Sequence, residues 1–152
     1  MNPKSIWKQI ALLGVVVIVG YFVVFNWVER RRFVKGPWKL TFSQTNGSPM
    51  LLINQTTLGI SNVTLVFSGV PVTTNTSETV AFGQGRAVPF DLPFGKCVFL
   101  DPLFLPGTAV CEVFGHQIQV MPRVLTIDGV ERPWSSGEAI SLTNKTVSQT
   151  QR

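Results

Sequence analysis

Hydrophobic residues follow two different patterns along this chain. From Ile10 to Phe25 the sequence IALLGVVVIVGYFVVF carries no charge, and a weaker apolar stretch from Ile6 to Val28 extends the run. These residues make a helix of about 34 Å, enough for a hydrocarbon core of about 30 Å. The first pattern therefore predicts a transmembrane helix at residues 10–28, preceded by an N-terminal tail at residues 1–9.

A cleaved signal peptide is the alternative interpretation of this run. Signal peptides have shorter apolar regions and end at small residues, whereas this run is longer and leaves through Phe25, Asn26 and Trp27. The pattern thus favours a retained signal-anchor in a single-pass protein. Aromatic side chains mark the ends of the run, and the arginines that follow it, Arg30, Arg31 and Arg32, are predicted to contact lipid head groups.

The second pattern is the alternation of apolar and polar residues that is typical of β-strands. Trp38, Leu40 and Phe42 alternate with polar residues, and Asp128-Gly129 between two apolar segments indicates a tight hairpin. Seven to nine short strands are predicted, as in an antiparallel β-sandwich of immunoglobulin-like size; a small β-barrel is the alternative. We place a basic stem at residues 29–37, the β domain at 38–142 and a flexible C-terminal tail at 143–152.

The charge distribution narrows the classes of partner. The chain has 13 Lys and Arg against 8 Asp and Glu, a formal charge of +5. Residues 1–39 hold seven of the basic residues and one acidic residue, Glu29, so residues 40–152 have a net charge of 6 − 7 = −1. A nucleic-acid-binding domain needs its positive charge on the folded surface, so the sequence predicts no nucleic-acid partner.

The side of the membrane on which the β domain lies is ambiguous. Two Lys precede the apolar run and five Lys or Arg follow it, which alone favours a cytosolic domain. The small number of lysines in the β domain and its two cysteines favour an extracytoplasmic location, which is our expectation. Five Asn-x-Ser/Thr sequences leave glycosylation an open question.

Cys97 and Cys111 are the only cysteines of the chain. They bracket turn-forming residues and are predicted to face one another across a hairpin-like excursion. A disulfide closing this loop of about 15 residues would stabilise the fold by about 3 kcal/mol. Two buried thiols are the alternative. A metal site is not expected, because zinc needs four ligands and the chain offers one histidine and two distant cysteines.

His116 is the only histidine, and we expect it to be a solvated residue of a Gly115-His116 turn. No nucleophile-elbow, zinc-protease, phosphate-loop or paired-carboxylate motif accompanies it. We therefore predict no catalytic residues, no cofactor and no enzymatic activity.

The segment from Val88 to Gly107 combines four prolines with many large apolar side chains. Proline cannot donate to a β-ladder, so this segment is either packed beneath the sandwich or displayed as a docking surface. The candidate docking residues are Phe99, Leu103, Phe104 and Leu105.

These features together predict a membrane-anchored, non-catalytic accessory or interaction subunit. Its helix contacts membrane lipids, and its β domain docks a protein partner in a membrane-associated complex. The alternative is a β-sandwich that carries a lipid or another apolar ligand between its sheets at the membrane surface.

Overall fold

A computed structural model describes residues 3–70 and 77–145, with side chains for 6–30, 35–70 and 77–145. The chain divides into two compact units, residues 1–34 and residues 35–152. The predicted tail from residue 146 onwards lies outside the described residues.

The first unit is one helix, α1 (Pro3–Val34), which extends beyond both ends of the predicted span. Its segment Ile6–Arg30 is long and apolar enough to cross a membrane, and none of its most apolar window is buried within the protein. Gly36, with φ of 65°, and Pro37 follow the helix. These two residues are typical of the positions just past a helix C-terminus.

The described residues of the second unit, here called the body, form eleven short strands. They are β1 (Lys39–Thr45), β2 (Ser48–Gln55), β3 (Ile60–Ser68), β4 (Glu78–Ala81), β5 (Phe90–Leu92), β6 (Gly95–Leu100), β7 (Ala109–Val113), β8 (His116–Val120), β9 (Val124–Ile127), β10 (Val130–Pro133) and β11 (Ala139–Thr143). A 3₁₀ turn, Thr56–Leu58, joins β2 to β3.

The strands make two sheets, which confirms the predicted sandwich; neither sheet closes into a barrel. The first sheet has the order β11-β3-β2-β1-β4 and the second the order β10-β9-β8-β7-β6-β5. Neighbouring strands are antiparallel, except that β11 pairs with β3 in parallel. In the second sheet each strand follows its neighbour along the chain, so successive turns lie at alternate ends.

Alternation along the strands produces the core, because successive side chains point to opposite faces of a sheet. In β2, for example, every second residue is buried. The inward rows of both sheets meet between them. The largest side chains that this core encloses completely are Trp38, Phe42, Phe67, Phe82, Leu40, Leu51, Ile53, Leu65 and Ile118.

The strands of both sheets run between the same two ends of the body, and a different set of aromatic side chains packs at each end. Where the chain enters the body, the Trp38 ring stacks on Trp134 at 5.4 Å, and Trp134 Nε1 donates to Met121 O at 2.9 Å. At the opposite end Phe67 packs on Phe114 with ring centres 5.2 Å apart. We call the end that contains Trp38 the stem end and the other the far end.

Candidate functional site

A loop at the stem end, residues 101–108 between β6 and β7, carries most of the predicted docking residues. We call it the apolar loop. Asp101 N donates to Thr108 O at 2.9 Å across its base, and Leu103 N donates to Asp101 Oδ1 at 3.0 Å. Trp38 Nε1 donates to Gly107 O at 3.0 Å. The loop is therefore tied to the core and has a defined conformation.

Gly107 is required for this conformation. It has φ of 66°, and a Cβ at this position would collide with the carbonyl oxygen of Asp101. A side chain is thus excluded both by the backbone angle and by the close approach of the two arms of the loop.

The structure separates the four predicted docking residues. Leu103 and Phe104 are 68% and 56% exposed at the tip of the apolar loop, and Phe99 is half exposed in β6. Leu105, in contrast, is buried, with 9% of its surface accessible. The interpretation of Leu105 as a displayed residue is corrected accordingly: Leu105 lies where the loop turns back toward Trp38. Val88, half exposed in the loop before β5, was not among the predicted residues.

Basic residues surround this exposed apolar surface. The loops of the stem end and the strand residues next to them hold five exposed cations and two carboxylates, Asp101 and Glu138, a balance of 5 − 2 = +3. The cations are Lys35, Lys39, Arg86, Arg123 and Arg132.

The remaining described part of the body has the opposite charge. It holds Lys96 and Lys145 against five carboxylates, a balance of 2 − 5 = −3; the carboxylates are Glu78, Asp91, Glu112, Asp128 and Glu131. Both lysines are paired, Lys96 with Glu112 at 3.3 Å and Lys145 with Asp128 at 2.8 Å. The body is therefore polarised, with its positive charge at the stem end.

The two cysteines lie in neighbouring strands as predicted, but they are free thiols. Cys97 in β6 is the direct partner of Cys111 in β7, and both are fully buried. Cys97 Sγ donates to Phe99 O at 3.2 Å. The hydrogen bond with Cys97 and burial raise the pKa of the Cys111 thiol. The predicted disulfide is thus replaced by two buried, unbonded thiols, the alternative considered above.

His116 is buried at the far end, which corrects its interpretation as a solvated turn residue. It is the first residue of β8 and 4% exposed. Its Nδ1 lies 2.7 Å from Asp128 Oδ2 and its Nε2 lies 2.7 Å from Thr143 O. A carbonyl oxygen can only accept, so Nε2 donates.

Asp128 is the centre of this far-end cluster. Burial acts to raise the pKa of Asp128, but the hydrogen bonds from Lys145, His116 and Gln117 N outweigh it and hold the pKa below its usual range. Asp128 comes from the β9–β10 turn, with φ of 53°. The cluster therefore joins the β9–β10 turn and β8 of one sheet to the end of β11 in the other.

Through these contacts His116 links the two sheets, because its Nε2 donates to the carbonyl of Thr143 at the end of β11. The contacts also fix the beginning of the predicted flexible tail, because Lys145 N donates to Phe114 O at 3.3 Å. Thr143 and Lys145 are consequently held against the body.

Arg30 is exposed on α1, as a head-group contact requires. The side chains of Arg31 and Arg32 lie outside the described residues. Among residues 3–70 and 77–145, no group of three or more His, Cys, Asp or Glu side chains is placed to hold a metal ion.

Comparison with known proteins gives no assignment: no protein-family model, no curated protein and no solved structure matches this chain. The chemistry of its surface is therefore the basis for the function proposed below.

Proposed function

We propose that this chain is a single-pass membrane protein that acts as a non-catalytic accessory subunit, whose body docks a protein partner in a membrane-associated complex. The observation that carries the proposal is the concentration of exposed apolar side chains at the stem end. Most other large apolar side chains of the body fill its core, but four at this end are about half exposed or more. They are Val88, Phe99, Leu103 and Phe104.

The helix supports the membrane location. Ile6–Arg30 has the length and composition of a membrane span, and its apolar side chains are exposed to the surroundings rather than packed in a core. In this proposal the body is extracytoplasmic. A reporter that is active only outside the cytosol, fused after Arg152, should be active; a silent fusion with normal expression would contradict this orientation.

The body offers a surface rather than an interior for its function. Large aromatic and aliphatic side chains occupy the space between the sheets, so the core is used for packing. Phe99 lies opposite Val110 in the second sheet, in the row that alternates with the inward Cys111 and Ala109. It therefore points away from the first sheet, where a partner could contact it. An aromatic anchor of this kind contributes strongly to binding when a partner buries it.

The test compares two exposed apolar residues at opposite ends of the body. Val130, 60% exposed at the far end, is the matched control for Phe99. The full-length chain is purified in mild detergent with chemical cross-linking in the native membrane. We expect a stoichiometric cross-linked partner with the wild type and with Val130→Ser, and its loss with Phe99→Ser.

Equal recovery of the same partner with both variants would contradict docking through Phe99. The absence of any stoichiometric partner from the wild type would contradict the proposed function itself. Thermal unfolding of both variants verifies that each is folded, since substitution of exposed side chains changes stability by only about 0.5 kcal/mol.

A further inference from the structure

We propose that the stem end of the body is itself a membrane-binding surface, in which Leu103 and Phe104 insert into the interface of an anionic bilayer and the surrounding cations contact its head groups. This inference rests on the membrane location in the proposed function and adds a second, lipid contact made by the body. It assigns the tip of the apolar loop to lipid and leaves Phe99 as the protein contact.

Topology places the participating segments at one end. Residues 35–37, where the chain leaves the helix, begin the body beside the 3₁₀ turn: Gln55 Nε2 donates to Gly36 O at 3.0 Å and to Pro37 O at 3.1 Å. The apolar loop is at the same end because Gly107 O accepts from Trp38 Nε1.

The Arg86 loop lies between these two segments. A Cβ on Gly83 would lie 3.7 Å from Pro37 Cγ, and one on Gly85 would lie 3.7 Å from Pro102 Cγ. Residues 83–86 therefore pack against both the first residues of the body and the apolar loop. Consequently, the exposed tip is presented on the end of the body that is covalently joined to the predicted membrane span.

Charge at this end matches an anionic surface. Lys35, Arg86 and Arg123 are exposed there in three separate loops. Of the two carboxylates at this end, Asp101 uses one oxygen to accept a hydrogen bond from Leu103 N. Apolar side chains flanked by Lys and Arg are the composition of segments that bind in the plane of a membrane interface. The net negative charge of the far end favours the same orientation, because anionic lipids repel the far end and attract the stem end.

The defined conformation of the loop favours insertion. Leu103 and Phe104 are held outward by the hydrogen bonds of Asp101 and by the tight turn at Gly107, so little conformational freedom is lost on binding. The membrane anchor also keeps the body next to the bilayer. The effective concentration of lipid at the loop is therefore high, even if the loop by itself binds lipid weakly. Two apolar residues and a few cations are therefore sufficient for the body to rest on the bilayer.

The test measures the lipid contact in the full-length chain. Single cysteines are introduced as Leu103→Cys at the tip, Val130→Cys at the far end and Ile18→Cys in the helix, and each is labelled with an environment-sensitive fluorophore. Cys97 and Cys111 have no accessible surface and do not compete for the label. Each protein is reconstituted into vesicles of phosphatidylcholine, or of phosphatidylcholine with phosphatidylserine, that contain a spin-labelled lipid quencher.

We expect the labels at residues 18 and 103 to be quenched in the anionic vesicles and the label at residue 130 to remain in water. Arg86→Gln combined with Arg123→Gln should weaken the contact at residue 103 by about tenfold, because each cation near an anionic surface contributes a several-fold factor. High salt should also weaken the contact at residue 103, and it should leave the quenching of the label at residue 18 unchanged.

Three results would overturn the inference, and they are distinguishable. If the label at residue 18 is not quenched, the membrane location in the proposed function is wrong and the lipid surface is excluded with it. If residue 18 is quenched while residue 103 stays in water, only the lipid surface is wrong and the loop belongs to a protein contact. If residue 103 is shielded in proportion to protein density but not quenched by the lipid, a second copy of the chain covers it.

Discussion

The stem end and the far end of the body differ in the exposure of their apolar side chains and in the pairing of their charged side chains. At the far end Phe67 and Phe94 both pack on Phe114, and the two lysines of the body outside the stem end are paired with carboxylates. At the stem end two tryptophans are packed, but Leu103 and Phe104 project outward among exposed cations.

This difference separates the interactions that stabilise the fold from the apolar side chains that the body leaves exposed. The far end pairs both of its lysines with carboxylates and packs its aromatic rings together, so these interactions stabilise the fold. Apolar side chains held outward by an ordered loop cost solubility unless another surface covers them. In the function proposed above the stem end carries the interaction, and the separate contributions of the two ends can be measured.

The largest expected effect is at the packed part of the stem end. Trp38→Ala removes a fully buried ring that stacks on Trp134 and donates to Gly107 O. Replacing such a residue costs about 3 to 5 kcal/mol. We expect a large fall in the thermal midpoint of the full-length protein. Thermal unfolding is measured by far-ultraviolet circular dichroism. A change of only a degree or two would show that the Trp38 contacts do not organise this end.

A smaller effect is expected from the far-end cluster. His116→Ala removes two hydrogen bonds, one to a carboxylate, and should cost about 2 to 3 kcal/mol. Lys145→Gln is the matched variant, because Lys145 binds the same carboxylate but is about half exposed; its loss should cost less than about 1 kcal/mol. Equal midpoints for the two variants would contradict a structural role for the buried histidine.

A still smaller effect on stability is expected when the pH is lowered, and the lowered pKa of Asp128 determines its direction. The pKa of Asp128 is lowered in the folded protein, so its contribution is present above the ordinary aspartate pKa of about 3.9 and is lost as the pH falls through the folded value. The wild type should exceed Asp128→Asn in thermal midpoint at pH 5, and this gap should close below about pH 4. A gap that widens with acid would refute the ion pairs assigned to Asp128.

The sequence was sufficient for the architecture because period two and hairpin residues are local signals. The alternation around Trp38 and the Asp128-Gly129 turn correspond to β1 and to the β9–β10 hairpin. The long apolar run likewise corresponds to α1. Each of these features depends on residues that are adjacent in the chain, which is why pattern alone predicts it.

The site depended on contacts that no local pattern contains. His116 is buried because Asp128 and the carbonyl of Thr143 reach it from elsewhere in the chain. Leu105 differs from Leu103 through the turn at Gly107, two residues away, whose carbonyl meets Trp38. A usable signal did exist for the cations: in a meander the segment that enters the first strand and every second turn after it lie at one end, which places Arg86 and Arg123 at the same end.

The smallest effect on stability is expected where the effect on function should be greatest. Leu103→Ser and Phe104→Ser change side chains that are 68% and 56% exposed, so together they should alter the free energy of unfolding by at most about 1 kcal/mol. Leu105→Ser is the matched control. Its side chain is buried, and burial of a leucine is worth about 1.5 to 3 kcal/mol.

Thermal unfolding of the full-length protein, without lipid vesicles, separates the two cases. We expect the midpoint of the Leu103 and Phe104 double variant to match that of the wild type within a few degrees, and that of Leu105→Ser to lie clearly lower. A large fall with the double variant would mean that the exposed tip packs against the body in solution. The contrast between the two ends would then weaken, because the tip of the apolar loop would have no apolar side chain left for a membrane.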